Sequence, residues 1–370
     1  MGCKITNIFY NYTSKKHSYL FRKFAFIHCI KGFVSMVYKK IIISRTDGIG
    51  DVVLALPMAG VLKKLFPECW VIFLGRAYTK AIVDTCENVD EFVAWDEIEK
   101  LDEQESIRNL KQLGADTILH VFPRRAIAEL AKKAGIPLRV GTSSRSYHWS
   151  TCNRLIRLSR RRSIHHEAQL NLKILTSFGA KKKFDLQEIP AYFGLTKVKP
   201  LNDNYKKLLD DKKFNLLIHP LSKGSAREWG MRNYQELLKI LPKEKFKIFI
   251  SGTEEEGSMI RPFLVESFSE VVDMTGKLKL DELISFISQA DGVLAASTGP
   301  LHIASALGRL ALGIYAPMRP IHPGRWAPIG EKAAFLVKEK YCSKCRNKNR
   351  CECIESITPA EVKEKLLKMV

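Results

Sequence analysis

Gly292-Val-Leu-Ala-Ala-Ser-Thr-Gly-Pro-Leu-His-Ile-Ala-Ser-Ala-Leu-Gly308 is the stretch on which the fold turns. Its first five residues form an uninterrupted apolar run, the pattern of a strand buried on both faces of a parallel sheet. Helical spacing follows, with Leu301, Ala304, Ser305 and Leu307 on one side. Ser297 and Thr298 are of a type that caps a helix, Gly299 permits close backbone approach, and Pro300 suits a first helical turn. Exposed N–H groups and the positive end of the helix dipole would then make an anion site where a strand ends. His302 stands one turn in, able to point back to the same spot. An ordinary capped helix would have the same local pattern, so the rest of the chain has to decide.

Outward from this unit the alternation of strand and helix continues. In the second half, strands are expected at 215–219, 246–251 and 309–315, with helices at 232–241, 280–289 and 359–369. In the first half, Ile41-Ile-Ile-Ser44 reads as a strand, Arg45-Thr-Asp-Gly-Ile-Gly-Asp51 as a glycine-rich turn, and 52–66 as a helix. Further strands are expected at 70–74, 91–94, 117–121 and 138–140. This alternation marks an α/β protein with doubly wound parallel sheets. A dinucleotide fingerprint would need a third glycine at position 53, where Val53 stands. A basic, irregular segment over 143–166 and a helix over 167–178 are expected next, and a shift to Lys runs and prolines over 181–212 separates the two halves. The expected organisation is an N-terminal extension over 1–40, domains over 41–200 and 201–357, and a closing helix over 358–370.

The chain has 370 residues and a formal net charge of +21. The charge is uneven. No acid occurs from Met1 to Thr46, and none between Glu129 and Glu167, where Arg145, Arg154, Arg157, Arg160, Arg161 and Arg162 fall. Such surfaces attract anionic partners. Nucleic acid lacks a recognisable module here: there is no RNP-like aromatic strand, helix-turn-helix signature or zinc-finger spacing. The extension shows apolar residues at helical spacing among lysines and arginines, which suits either an anionic membrane surface or packing on the body. No run of eighteen apolar residues is present, so no spanning helix is expected.

Three loops at strand carboxyl ends, 220–228, 251–256 and 297–302, should face one crevice. Their chemistry suits a nucleoside diphosphate. Ser222, Lys223 and Arg227 offer donors and charge, Glu254 is of a type to meet ribose hydroxyls, and Thr298, Gly299 and His302 would meet phosphate. Lys223 and Arg227 could equally be solvated charges, and Glu254 a helix N-terminal acid.

Gly48-Ile-Gly-Asp51, His219-Pro with Arg227-Glu-Trp229, Thr275-Gly276, Ser297-Thr-Gly-Pro-Leu-His302 and His322-Pro-Gly-Arg-Trp326 stand in order. In this the chain resembles the heptosyltransferases of glycosyltransferase family 9 over about residues 41–370. The resemblance implies a GT-B fold, with two Rossmann-like domains facing a cleft, acceptor on the N-terminal side and nucleotide sugar on the other. It implies an inverting transferase that requires no metal, with ADP-heptose as donor and an anionic lipopolysaccharide core as acceptor. Such an enzyme would work at the inner face of the cytoplasmic membrane. Asp51 matches the catalytic base, although a carboxylate there could simply complement its helix dipole, which would lower its pKa. Met274 and Gly276 match the position whose backbone meets the base, and Ser297 stands where some members carry Asp. Arg145, Arg154, Arg160 and Arg325 are candidate acceptor contacts. A different sugar donor, in O-antigen or capsule assembly, and a non-catalytic anion-binding module are the alternatives. Cys342, Cys345, Cys351 and Cys353 could make a zinc site, or be free thiols.

Overall fold

A computed structural model describes residues 38–160, 163–338 and 351–370. The basic N-terminal helix expected over 1–40 lies almost wholly outside these, as do Arg161, Arg162, Cys342 and Cys345.

Two six-stranded parallel sheets carry the fold. The first contains β1 (Lys40–Ser44), β2 (Trp70–Gly75), β3 (Glu91–Ala94), β4 (Thr117–His120), β5 (Leu138–Thr142) and β6 (Arg154–Ile156). The second contains β7 (Phe214–His219), β8 (Phe246–Ile250), β9 (Val272–Asp273), β10 (Gly292–Ala295), β11 (Leu310–Tyr315) and β12 (Ala333–Val337). Their spatial orders are β3-β2-β1-β4-β5-β6 and β12-β11-β10-β7-β8-β9. Counted within each sheet, both are the doubly wound order 3-2-1-4-5-6.

The strands at each centre are the apolar runs. Ile42 of β1 lies opposite Ile72 and Ile118, and Leu294 of β10 opposite Ile218 and Leu312. All of these are fully buried. In each sheet the strand order reverses between the two central strands, β1 beside β4 and β7 beside β10. Loops leaving these strands must diverge, which opens a crevice at their carboxyl ends. The 45–50, 220–228 and 297–299 loops all leave from there.

Three local expectations change. The helix expected over 52–66 is two, Ile49–Val53 and Pro57–Leu65. Pro57 cannot donate the intrahelical bond and would crowd the preceding turn, so it starts a new helix instead. The break places Asp51 in the first turn of its own short helix. The basic segment after Ser143 includes the edge strand β6, whose Arg154 and Leu155 are exposed. The helix expected over 167–178 is α-helical over Glu167–Lys173 and tightens to a 3-10 turn over Ile174–Phe178.

Each sheet has its own core. In the second lobe Trp229 is fully buried, edge-on to Tyr234 at 4.8 Å, and donates its indole N–H to the Ile357 carbonyl at 2.7 Å. The closing helix Pro359–Met369 sends Val362 and Leu366 into that core. Among the described residues no helix is long and apolar enough to cross a membrane.

Candidate active site

A cavity of about 910 Å³ opens where the two sets of loops meet. Its wall includes Gly48, Gly50, Asp51 and Tyr78 from the first lobe. The second lobe contributes His219, Ser222, Lys223, Glu254, Met274, Gly276, Ser297, Thr298, Gly299, His302, Arg325 and Trp326.

The two lobes touch through glycines. A Cβ on Gly50 would lie 2.8 Å from the His302 ring, and one on Gly299 would lie 3.0 Å from Ile49. Two helix N-termini, Ile49–Val53 and Gly299–Ala306, can therefore face each other only because neither glycine carries a side chain.

On the second-lobe side, Thr298 occupies the N-cap position in an extended conformation. Its hydroxyl makes no capping bond, contrary to the usual use of threonine there. Among the described residues, Thr298 Oγ1 and His302 Nδ1 are buried polar atoms with no hydrogen-bond partner. Such atoms are costly unless something else satisfies them. Burial, together with His166 nearby, pushes the His302 imidazole down to about 3, so it is neutral near pH 7 and can donate from one ring nitrogen. An anion seated on this helix N-terminus would meet the backbone N–H groups, the Thr298 hydroxyl and the His302 N–H together.

The 220–228 loop divides its predicted donors. Lys223 has a left-handed backbone (φ 48°), is exposed and lines the cavity. The Ser222 hydroxyl faces the Ala226 carbonyl and the Glu228 carboxylate, both at 3.0 Å, so it braces the loop although it also lines the wall. Arg227 is part-buried and is not on the cavity wall. Across the cavity Glu254 is held by both terminal nitrogens of Arg261, at 2.7 and 2.9 Å. Arg261 also binds Asp273 at 2.9 Å, just ahead of buried Met274. Gly276, at φ +72°, brings its backbone against the Glu254 carboxylate. His219 bonds the Ser251 hydroxyl at 3.0 Å, and burial pushes its pKa down.

On the first-lobe side Asp51 is part-exposed and in close contact with the Arg45 guanidinium. Burial raises its carboxyl and Arg45 opposes this, but Asp47 and Glu167 reinforce the rise, which reaches about 6. The lowering expected from a helix dipole does not prevail, because burial, with two carboxylates close by, outweighs the end of a helix of only five residues. Arg45 itself is buried, and its ion pairs with Asp47 (2.8 Å) and Glu167 (2.9 Å) outweigh burial and keep it charged.

The four candidate acceptor arginines separate. Arg325 lines the cavity and forks onto Glu167 at 2.9 and 3.0 Å. The short helix Pro323–Trp326 that presents it is capped by the His322 ring, which accepts from Gly324 N–H at 3.0 Å. Arg160 is also committed to Glu167, at 2.7 Å. Arg145 and Arg154 are exposed and away from the cavity wall, on the same lobe as the exposed Trp149. Cys351 is buried and Cys353 part-buried. Among the described residues no group of three or more His, Cys, Asp or Glu side chains is arranged to hold a metal.

Arg45 and Glu167 are not among the residues singled out from sequence. Two signals point to them: Arg45 directly follows a buried strand and opens the glycine-rich turn, and Glu167 is the first acid after Glu129.

The sequence model of glycosyltransferase family 9 (heptosyltransferase) matches residues 105–354. A lipopolysaccharide core heptosyltransferase of Haemophilus influenzae, OpsX, is 24% identical over 300 residues, covering 76% of this chain and 80% of that protein. In the crystal structure of a family 9 glycosyl transferase from Veillonella parvula, the fold superposes with a TM-score of 0.74 at 17% identity, over 91% of this chain and 98% of that one. The ADP-heptose lipopolysaccharide heptosyltransferase II of Escherichia coli gives 0.69 at 18%, over 90% and 98%. The two facing sheets are thus a GT-B fold, and the chain belongs to glycosyltransferase family 9, the heptosyltransferases.

Proposed function

We propose that the protein transfers a heptosyl group from ADP-heptose to an anionic lipopolysaccharide inner-core saccharide, with inversion at the anomeric carbon. One observation carries this reading. Asp51 of the first lobe and the unsatisfied Thr298–His302 pair of the second line a single cavity, held together by the Gly50–His302 contact.

In this scheme the diphosphate sits on the N-terminus of the Gly299–Ala306 helix, meeting Thr298, neutral His302 and Lys223. The nucleoside lies along Met274, Leu278, Leu280 and Leu283, with Glu254 accepting from ribose hydroxyls. The acceptor hydroxyl attacks the anomeric carbon from the face opposite the diphosphate. Its proton passes to Asp51, the new C–O bond forms as the bond to the β-phosphate oxygen breaks, and ADP leaves. A single displacement inverts the centre. The charge leaving with ADP is met by the helix end, Thr298, His302 and Lys223, so the scheme uses no metal. Ser297 lines the same cavity, just past the end of the strand that precedes the diphosphate helix. Arg325, stacked 4.8 Å over Trp326, is the cavity cation nearest in type to an acceptor phosphate or carboxylate contact. The exposed Arg145, Arg154 and Trp149 suit an anionic membrane face, where such an acceptor resides.

Calorimetry with ADP, UDP, GDP and CDP tests the donor. ADP is expected to bind selectively, and Lys223→Ala or Thr298→Val to weaken it by roughly tenfold, the scale of one lost charge-assisted or buried hydrogen bond. Arg227→Ala separates the family expectation from the geometry: an unchanged ADP dissociation constant fits its place off the wall. Preference for UDP or GDP would replace heptose with another sugar, as in O-antigen or capsule assembly.

A further inference from the structure

Glu167 is fully buried, yet it lies at the meeting point of three guanidiniums. Its Oε1 accepts from Arg45 Nη1 at 2.9 Å and from Arg160 Nε at 2.7 Å. Its Oε2 accepts from Arg325 Nε at 3.0 Å and Nη2 at 2.9 Å. Asn171, one helical turn on, accepts from Arg45 at 3.0 Å and Arg160 at 2.9 Å, while its amide donates to the Leu54 carbonyl at 3.0 Å. The N-cap residue of the same helix, His166, reaches the second lobe through the Ala327 carbonyl at 2.9 Å. Arg45 then spends its remaining nitrogens on Asp47 and Asp51.

We propose that Glu167 is a positioning residue: through Arg45 it sets the orientation and basicity of the Asp51 carboxylate, and through Arg325 it makes that setting depend on docking of the second lobe. The inference rests on the reading of Asp51 as the base.

The coupling works through shared charge. Three cations (Arg45, Arg160, Arg325) and three anions (Asp47, Asp51, Glu167) are linked in one part-buried network. Among the described residues, Arg45 is the only cation paired with both Asp51 and Glu167. Whatever draws Arg45 toward Glu167 loosens its hold on Asp51, and the reverse also holds. Arg325 and Arg160 compete with Arg45 for Glu167, so a lobe that withdraws Arg325 changes the force on Asp51 without touching it. Besides Arg45 and Glu167, Asp47 in its own loop and Tyr78 act on Asp51, and across the cleft neutral His302 lies against the adjacent Gly50. The Tyr78 hydroxyl donates to the Asp47 carbonyl at 3.0 Å.

The signs are opposite for two substitutions that leave Asp51 alone. Glu167→Gln removes an anion and frees Arg45 for Asp51, so the Asp51 carboxyl should titrate lower. Arg160→Gln removes a competing cation, so it should titrate higher. Shifts of about one pH unit are the expected scale. Carbon-13 NMR of aspartate-labelled protein reads this directly, with the Asp51 resonance identified as the one missing from Asp51→Asn. In parallel, kcat with ADP-heptose and a deacylated inner-core acceptor should fall roughly 10- to 100-fold in Glu167→Gln. The KM for ADP-heptose should stay within about twofold. Should Glu167→Gln not fold, Arg160→Gln decides by itself, because it lies at the edge of the network. Opposite shifts, or the upward Arg160→Gln shift alone, support the proposal. An Asp51 titration unmoved by Arg160→Gln overturns it and leaves Glu167 as cement between lobes, which would lower Tm only. Failure of the base reading shows separately, as undiminished transfer by Asp51→Asn.

Discussion

Asp51→Asn is expected to lower the transfer rate by roughly 10²- to 10⁴-fold and to leave ADP binding unchanged. That range is what a positioned general base contributes. Asparagine keeps the shape of the side chain and its contact with Arg45, but cannot take a proton. ADP binding should survive because the anion-accepting groups, Thr298, Gly299, His302 and Lys223, all stand on the second lobe. The pH dependence follows from the same carboxyl. In the proposed scheme transfer needs it ionised, and burial with Asp47 and Glu167 beside it raises it to about 6. The acid limb of kcat/KM is therefore expected near pH 6 rather than near 4, with rates falling as pH drops through that value. A carboxyl poised close to neutral is also a stronger base than an ordinary surface aspartate. A pH profile flat down to 5, or an Asn variant as fast as the parent, would remove Asp51 from the mechanism.

Gly50→Val should be nearly as damaging, for a geometric reason. The first added carbon already falls 2.8 Å from the His302 ring, closer than carbon atoms tolerate. His302 is itself buried in the Gly299–Ala306 helix, so it cannot swing aside cheaply. The two helix N-termini must then separate, carrying Asp51 away from the diphosphate site. A misplacement of about 1 Å is enough to cost ~10²-fold in rate. The expected signature is a loss of kcat of that size, with ADP affinity within about threefold of the parent and Tm little changed, because each lobe has its own core. Equal losses in ADP binding and kcat would instead mean that the substitution disrupts the second-lobe anion site.

Much of this architecture is legible in the residues because it is local. A β-branched or apolar run, a turn rich in glycine and a helix with apolar spacing specify each strand–turn–helix unit, and strand-end loops converge wherever the order of parallel strands reverses. Thr298, Gly299 and His302 could thus be brought together from their positions at a strand end, while Asp51 was tied to them by the family resemblance. What was not legible depends on distant partners. Arg45 and Glu167 are separated by 122 positions, and nothing near either one announces the ion pair. Arg160 reads as an acceptor contact until Glu167 and Asn171 are placed beside it. Ser222 looks like a phosphate donor, but Ala226 and Glu228 engage its hydroxyl. Thr298 shows the converse. Its residue type suggests an ordinary cap, whereas in the fold its hydroxyl makes no capping bond, and the proposed diphosphate site rests on that.

The most direct test of the account is a transfer assay. The purified protein is mixed with ADP-heptose and a deacylated lipopolysaccharide inner core, and both ADP release and the anomeric configuration of the product are followed by NMR. The account predicts ADP release matched one-to-one by a glycoside of inverted configuration, abolished in Asp51→Asn and insensitive to added chelator. Retained configuration, or ADP release without a glycoside, would contradict it.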